Sequence, residues 1–181
     1  GRTMTAVLYP DVAPLTVENF LTLVDQKAYD GVIFHRVIPG FMVQTGYLKA
    51  KDNQLTGAVN ANTIPGEFTA NGFVNELEHK AGVLSMARAN DPDSASSQFF
   101  IVTQSTPENS RALDGKYAAF GFVTEGLSIV EQIAAVETDS NDKPLRPVVI
   151  ADITFDRAQA EAALLTANNT VDPTTKQASQ R

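Results

Sequence analysis

Strand-like runs dominate this chain, and they do not alternate with helices. Residues 3–9, 32–37, 41–45, 82–88, 97–103, 118–123 and 147–155 are rich in Val, Ile, Phe and Tyr. Gly, Pro and polar clusters separate them. Two segments read as core helices. One runs from Val17 to Tyr29, with Phe20, Leu23, Val24 and Lys27 at helical spacing, Thr16 as its expected N-cap and Asp30-Gly31 as its stop. The other runs from Gly126 to Val136, with Ile129, Val130 and Ile133 on one face. This order does not suit a parallel sheet of strand–helix–strand units. It predicts a closed or nearly closed antiparallel β structure with helices at its ends. The polar segment 46–76 reads mainly as loop, residues 156–167 as an Ala-rich helix, and 168–181 as a mobile polar tail.

Composition narrows the function. A chain of 181 residues suits one domain, and 43% hydrophobic residues suffice for a core. The net charge of -7 argues against a general nucleic-acid binder, which needs clustered Lys and Arg, and against anionic membrane surfaces. The absence of cysteine excludes disulfides, zinc–cysteine sites and thiol catalysis. No window reaches the length of an apolar membrane span, and no signal peptide is visible. A cytoplasmic location is expected. Because the chain opens on Gly1-Arg2, removal of a leader and a periplasmic location stay open.

Familiar catalytic motifs are missing. His35 and His79 lack metal-ligand spacing, and GxSxG, GxGxxG and P-loop motifs do not occur. No cofactor or metal is expected. A Ser-His-Asp triad can be assembled on paper from most chains and carries little weight here. What stands out is 33-IFHRVIPGFMVQTG-46, in which Arg36 interrupts an apolar run. Strand alternation places Val32, Phe34 and Arg36 on one face, and Met42 with Gln44 on one face after the Pro39-Gly40 turn. The plain reading puts Arg36 on the barrel exterior with its stem covering apolar surface. The sharper reading is a shallow apolar pocket with a guanidinium at its rim, suited to binding a peptide and polarising one carbonyl.

The stretch 34-FHRVIPGFMVQTG-46 resembles the signature of the cyclophilins, a family of peptidyl-prolyl cis-trans isomerases. The blocks 83-VLSMARA-89 with 97-SQFFI-101, and 113-LDGKYAAFG-121, agree in order and spacing. The segments 13-APLTVENF-20 and 148-VVIADI-153 also match. The resemblance covers residues 1–155 as an isomerase domain, leaving 156–181 as a C-terminal extension. It implies a mainly β fold, a closed eight-stranded antiparallel barrel capped by two helices. It implies isomerisation of Xaa-Pro bonds, assisting protein folding, without covalent chemistry. Arg36 would be catalytic. Phe41, Met42, Phe100 and Leu113 would line the proline pocket. Gln44 and Gln98 would hold the peptide backbone and position Arg36. Ala87 and Arg88 would border the next subsite, with Tyr117 at the groove. Expected partners are proline-containing peptides and flexible protein segments, with a monomer as the default state.

Several positions depart from the family pattern. Ala112 stands where the family often has Trp, which implies weak cyclosporin binding with activity kept. Tyr117 replaces a common His. Arg88 replaces Asn of many eukaryotic members and suggests a preference for acidic residues near the proline. Gly1-Arg2 aligns with the turn between the family's first two strands, so the first strand is expected to be missing. A shortened chain, a replacement strand and a misplaced alignment all stay open, with the extension from Asp156 expected to cover the exposed edge. Two rivals to catalysis remain. One is a proline-peptide binding module of the same fold. The other is an interaction protein that docks a partner through the extension.

Overall fold

The computed structural model describes residues 1–170; of the mobile tail expected over 168–181, residues 168–170 are helical and the rest lies outside the described residues. The strands are β1 (Thr5–Leu8), β2 (Arg36–Ile38), β3 (Met42–Thr45), β4 (Leu48–Lys51), β5 (Gln54–Ala58), β6 (Val83–Met86), β7 (Phe99–Val102) and β8 (Ala119–Glu125). The α-helices are α1 (Pro14–Asp25), α2 (Pro107–Leu113), α3 (Leu127–Ala134) and α4 (Arg157–Thr170). Six strands form one antiparallel sheet in the order β1-β8-β6-β7-β3-β2, and β4 pairs with β5 as a separate hairpin. Among the described helices, none is long and apolar enough to cross a membrane.

The expected closed eight-stranded barrel is therefore not what the described residues form. Eight strands are present among the described residues, but they divide six and two, and the large sheet ends on β1 and β2. Residues 147–155, expected as a last strand, pair only in part. Phe34 N donates to Val148 O at 3.0 Å, Gly31 N to Ile150 O at 2.9 Å, and Ile150 N to Val32 O at 2.8 Å. Beyond Ile150 the backbone leaves this pairing and runs on to α4 without a strand partner among the described residues. On the other side, β1 is mostly exposed and pairs with β8 alone. α4 does not cover β1. It packs against α1, joined by an Arg157–Asp25 ion pair, with Ala160 and Leu164 against the main core.

That core is filled from one face of the sheet and from α1. Val37, Val43, Ile101 and Leu84 stand opposite one another along four strands and join Phe20, Tyr29, Phe99 and Phe120 inside. Phe20 lies 5.2–5.3 Å from the ring centres of Tyr29, Phe99 and Phe120, within the range that aromatic pairs favour.

α1 begins earlier than expected, with Pro14 in its first turn and Ala13 as an N-cap residue that offers no side-chain bond. Thr16 lies inside the helix. The cap comes from a distant loop. Glu67 accepts from Leu15 N at 2.9 Å, Thr16 N at 2.7 Å and Thr16 Oγ1 at 2.6 Å. A carboxylate at a helix N-terminus satisfies orphan N–H groups and complements the helix dipole. Glu67 is buried, and burial pushes its carboxyl up against the pull of these three donors. Asn75 holds the same loop in place, donating to Glu67 O and Ala119 O, both at 2.9 Å.

Glu67→Ala strands two helix N–H groups in a buried setting, each costing about 1–3 kcal/mol. The expected loss is about 3 kcal/mol of unfolding free energy, read from urea titrations. Glu18→Ala, an exposed change on the same helix, is expected to lose far less.

Candidate active site on the outer face of the sheet

The same strands that fill the core with one set of residues present another set outward. Arg36 on β2 faces Gln44 on β3, Gln44 faces Phe100 on β7, and Phe100 faces Ser85 on β6. Residues directly opposite in an antiparallel pair project to the same face. Met42 lies two residues before Gln44 and shares that face, opposite Val102. Met42, Phe100, Val102, Val83, Leu113 and Ala119 make a second apolar cluster, separate from the main core. Phe41, Ala87 and Tyr117 pack against it.

Arg36 does not share a face with Val32 and Phe34, as continuous alternation predicts. Those two are buried in the core, whereas Arg36 is exposed. The strand does not begin until Arg36, and the irregular backbone at Phe34 and His35 resets the alternation. Leu113 arrives on α2, a helix that the sequence reading missed. Thr106 caps it by accepting from Asn109 N at 3.1 Å, and Pro107 opens it. Asn109 Nδ2 then donates to Gly40 O at 3.0 Å and Gln104 O at 2.7 Å, tying α2 to the β2–β3 turn.

Gln44 Nε2 donates to Gln98 Oε1 at 3.0 Å, so the two glutamines form one unit beside Arg36. The Arg36 guanidinium lies 3.9 Å from Asp142 through Nε and donates no hydrogen bond to another described residue. Arg88 is arranged differently. Its guanidinium sits 4.9 Å from the ring centre of Phe68 and 4.8 Å from that of Tyr117. It donates to Lys116 O, Ala89 O and Asn90 O. Arg88 thus braces Tyr117, and its donors are engaged within the chain.

A depression of about 450 Å³ lies elsewhere, between the Pro39-Gly40 turn and the end of α3. The outward row is an apolar strip of largely buried side chains, with Gln44 and the exposed Arg36 at one end.

Residues 1–155 match the family described as cyclophilin type peptidyl-prolyl cis-trans isomerase/CLD. The chain belongs to the cyclophilins. It is a peptidyl-prolyl cis-trans isomerase with a mainly β cyclophilin fold. It is 44% identical over 144 residues to the peptidyl-prolyl cis-trans isomerase ppi1 of Schizosaccharomyces pombe, covering 79% of this chain and 86% of that protein. It is 42% identical over 147 residues to the peptidyl-prolyl cis-trans isomerase-like 1 of Emericella nidulans, covering 81% and 84%. A crystal structure of a Cryptosporidium parvum cyclophilin-type isomerase, in the presence of the dipeptide Ala-Pro, superposes with a TM-score of 0.67 at 28% identity. The match covers 82% of this chain and 89% of that one.

Beside Phe100 this cyclophilin holds a largely buried polar chain that sequence spacing did not reveal. Asp114 Oδ1 accepts from His79 N at 2.7 Å and meets His79 Nδ1 at 2.9 Å; His79 Nε2 meets Ser85 Oγ at 2.8 Å. A carboxylate only accepts, so Nδ1 carries the proton and Nε2 accepts from the Ser85 hydroxyl. The connectivity is that of a catalytic triad, but Ser85 is 0% exposed and no substrate reaches it. The His79 ring lies nearly parallel to that of Phe100, 6.2 Å away. This cyclophilin therefore uses Ser, His and Asp as a brace beside Phe100. His79 and Asp114 are 35 positions apart, so nothing local marks the pair.

Burial pulls His79 below its ordinary value of 6.5 despite Asp114, and burial acts on His35 in the same direction. The unfolded chain then binds more protons than the folded one just below pH 6.5. The histidine contribution to stability is complete above that value and declines as pH falls toward the folded pKa values. The histidine share of the unfolding free energy is expected to drop between pH 7 and 5.5 in urea titrations, opposite in sign to the contribution of Glu67. The drop is expected to be smaller in His79→Gln, and an unchanged slope would contradict it.

Proposed function

We propose that Arg36 is the catalytic residue of this isomerase and that the outward apolar strip receives the substrate proline. The observation that carries this reading is the placement of a guanidinium with unspent donors at the end of that strip. Phe41, Met42, Phe100 and Leu113 grip the pyrrolidine ring. The Gln44–Gln98 unit receives the peptide backbone, and Ala87, Arg88 and Tyr117 border the neighbouring stretch. The substrates are proline-containing peptides and flexible protein segments. The use of the dipeptide Ala-Pro with the Cryptosporidium isomerase supports that class.

Amide resonance holds the Xaa-Pro bond near planarity, with a barrier of roughly 18–20 kcal/mol. Halfway through rotation the prolyl nitrogen is pyramidal and regains a lone pair. A guanidinium donor beside that nitrogen binds the lone pair and opposes renewed conjugation. This interaction is absent from the planar ground state, so it lowers the barrier rather than only tightening binding. Arginine suits the task because it stays charged and holds a rigid planar fork. The apolar strip fixes the ring while the preceding residue turns.

Arg36→Ala is expected to reduce kcat/KM by about 10²–10³-fold, the effect of removing one donor directed at transition-state charge. Magnetisation exchange between cis and trans forms of a short Xaa-Pro peptide reads the rate. Binding by the parent protein without accelerated exchange would identify a peptide-binding module instead. Ala112 lies exposed on α2, beside Leu113 in sequence. Ala112→Trp is expected to tighten cyclosporin binding in calorimetry while leaving peptide exchange near the parental rate.

A further inference from the structure

Asp142 is a charged neighbour of Arg36. It lies in the connection after α3, where Thr138 bridges Pro144. Asp139 fixes this connection from within. Its N–H donates to Lys143 O at 2.8 Å, its carbonyl accepts from Asp142 N at 3.1 Å, and its carboxylate accepts from Asn141 N and Lys143 N at 2.8 and 3.1 Å. Asp142 O then accepts from Val37 N at 2.8 Å, docking the connection on β2 beside Arg36. The backbone of Asp142 is thus held at both ends, at φ +62°, a left-handed conformation that glycine adopts at least cost. The docking uses the main chain alone, so the carboxylate is free for another purpose.

That carboxylate lies 3.9 Å from Arg36 Nε, with the two side chains 48% and 46% exposed. Such a half-exposed pair contributes little to stability. Its effect on direction is larger, because it acts on the Nε side of the fork. Both terminal amino groups stay available, while the attraction limits how the guanidinium swings about its long stem. A donor already directed needs less reorganisation when the prolyl nitrogen turns.

We propose that Asp142 is a positioning residue for isomerisation, holding the Arg36 guanidinium by its Nε edge so that its terminal amino groups face the peptide. This rests on the reading of Arg36 as catalytic. The test is a double-mutant cycle measured by cis–trans exchange, with the proteins first shown folded by circular dichroism. Asp142→Asn is expected to lower kcat by about 2- to 5-fold, the scale of an exposed ion pair, with KM little changed. The parental rate is expected to fall with added salt more steeply than that of Asp142→Asn, since salt screens the pair. Asp142→Gly suits the left-handed backbone and keeps the docking to Val37, so it is expected to lose the same factor. In an Arg36→Ala background, assayed at higher enzyme concentration, Asp142→Asn is expected to change nothing further. An equal loss in both backgrounds, or full activity in Asp142→Gly, overturns the positioning role while leaving Arg36 catalytic. Parental activity in Arg36→Ala overturns the catalytic reading itself and this inference with it.

Discussion

Strand alternation is the constraint from which the rest of this molecule follows. Four short strands carry Val37, Val43, Ile101 and Leu84 inward, and their neighbours Arg36, Gln44, Phe100 and Ser85 outward. The inward row closes the core with α1. The outward row carries a second apolar cluster, onto which α2 brings Leu113. Because both rows belong to the same backbone, a slip of one residue would exchange core and groove together. The position of the guanidinium is therefore as firmly specified as the packing of the core.

The outward row depends on support from its neighbours. His79 connects Asp114, just beyond α2, to Ser85 on β6, and its ring lies along Phe100. Arg88 clasps Tyr117 against Phe68. Asn109 joins α2 to the Pro39-Gly40 turn. These groups are polar or charged, yet each is engaged with partners inside the chain. They hold the side chains of the second apolar cluster in place.

Much of this was legible in the sequence, and the failures have physical causes. β3, β6, β7 and β8 fall where the apolar runs place them, because their burial pattern is local. The outward grouping of Met42 and Gln44 followed from period two. The face of Arg36 relative to Phe34 did not, since the irregular backbone between them breaks the period. The run 147–155 has the composition of a strand, yet composition does not supply a pairing partner, and after Ile150 none is present among the described residues. Thr16 has the chemistry of an N-cap but lies within α1, because Glu67, 51 residues away, supplies the acceptor. A Ser-His-Asp triad carried little weight on sequence grounds, and nothing there singled out Ser85, His79 and Asp114. The structure assembles their hydrogen bonds but seals the hydroxyl, so geometry and accessibility had to be judged together.

Glu67 also ties two parts of the chain into one dynamic unit. Its backbone belongs to a loop anchored through Asn75 to Ala119, while its carboxylate holds the first turn of α1. The amide hydrogens of Leu15 and Thr16 are shielded by a side chain from another region, not by their own helix. They exchange with solvent only when loop and helix separate, so their protection records the opening of a segment far from them in sequence. A helix end that would ordinarily fray first is thereby made to open in step with the loop that caps it.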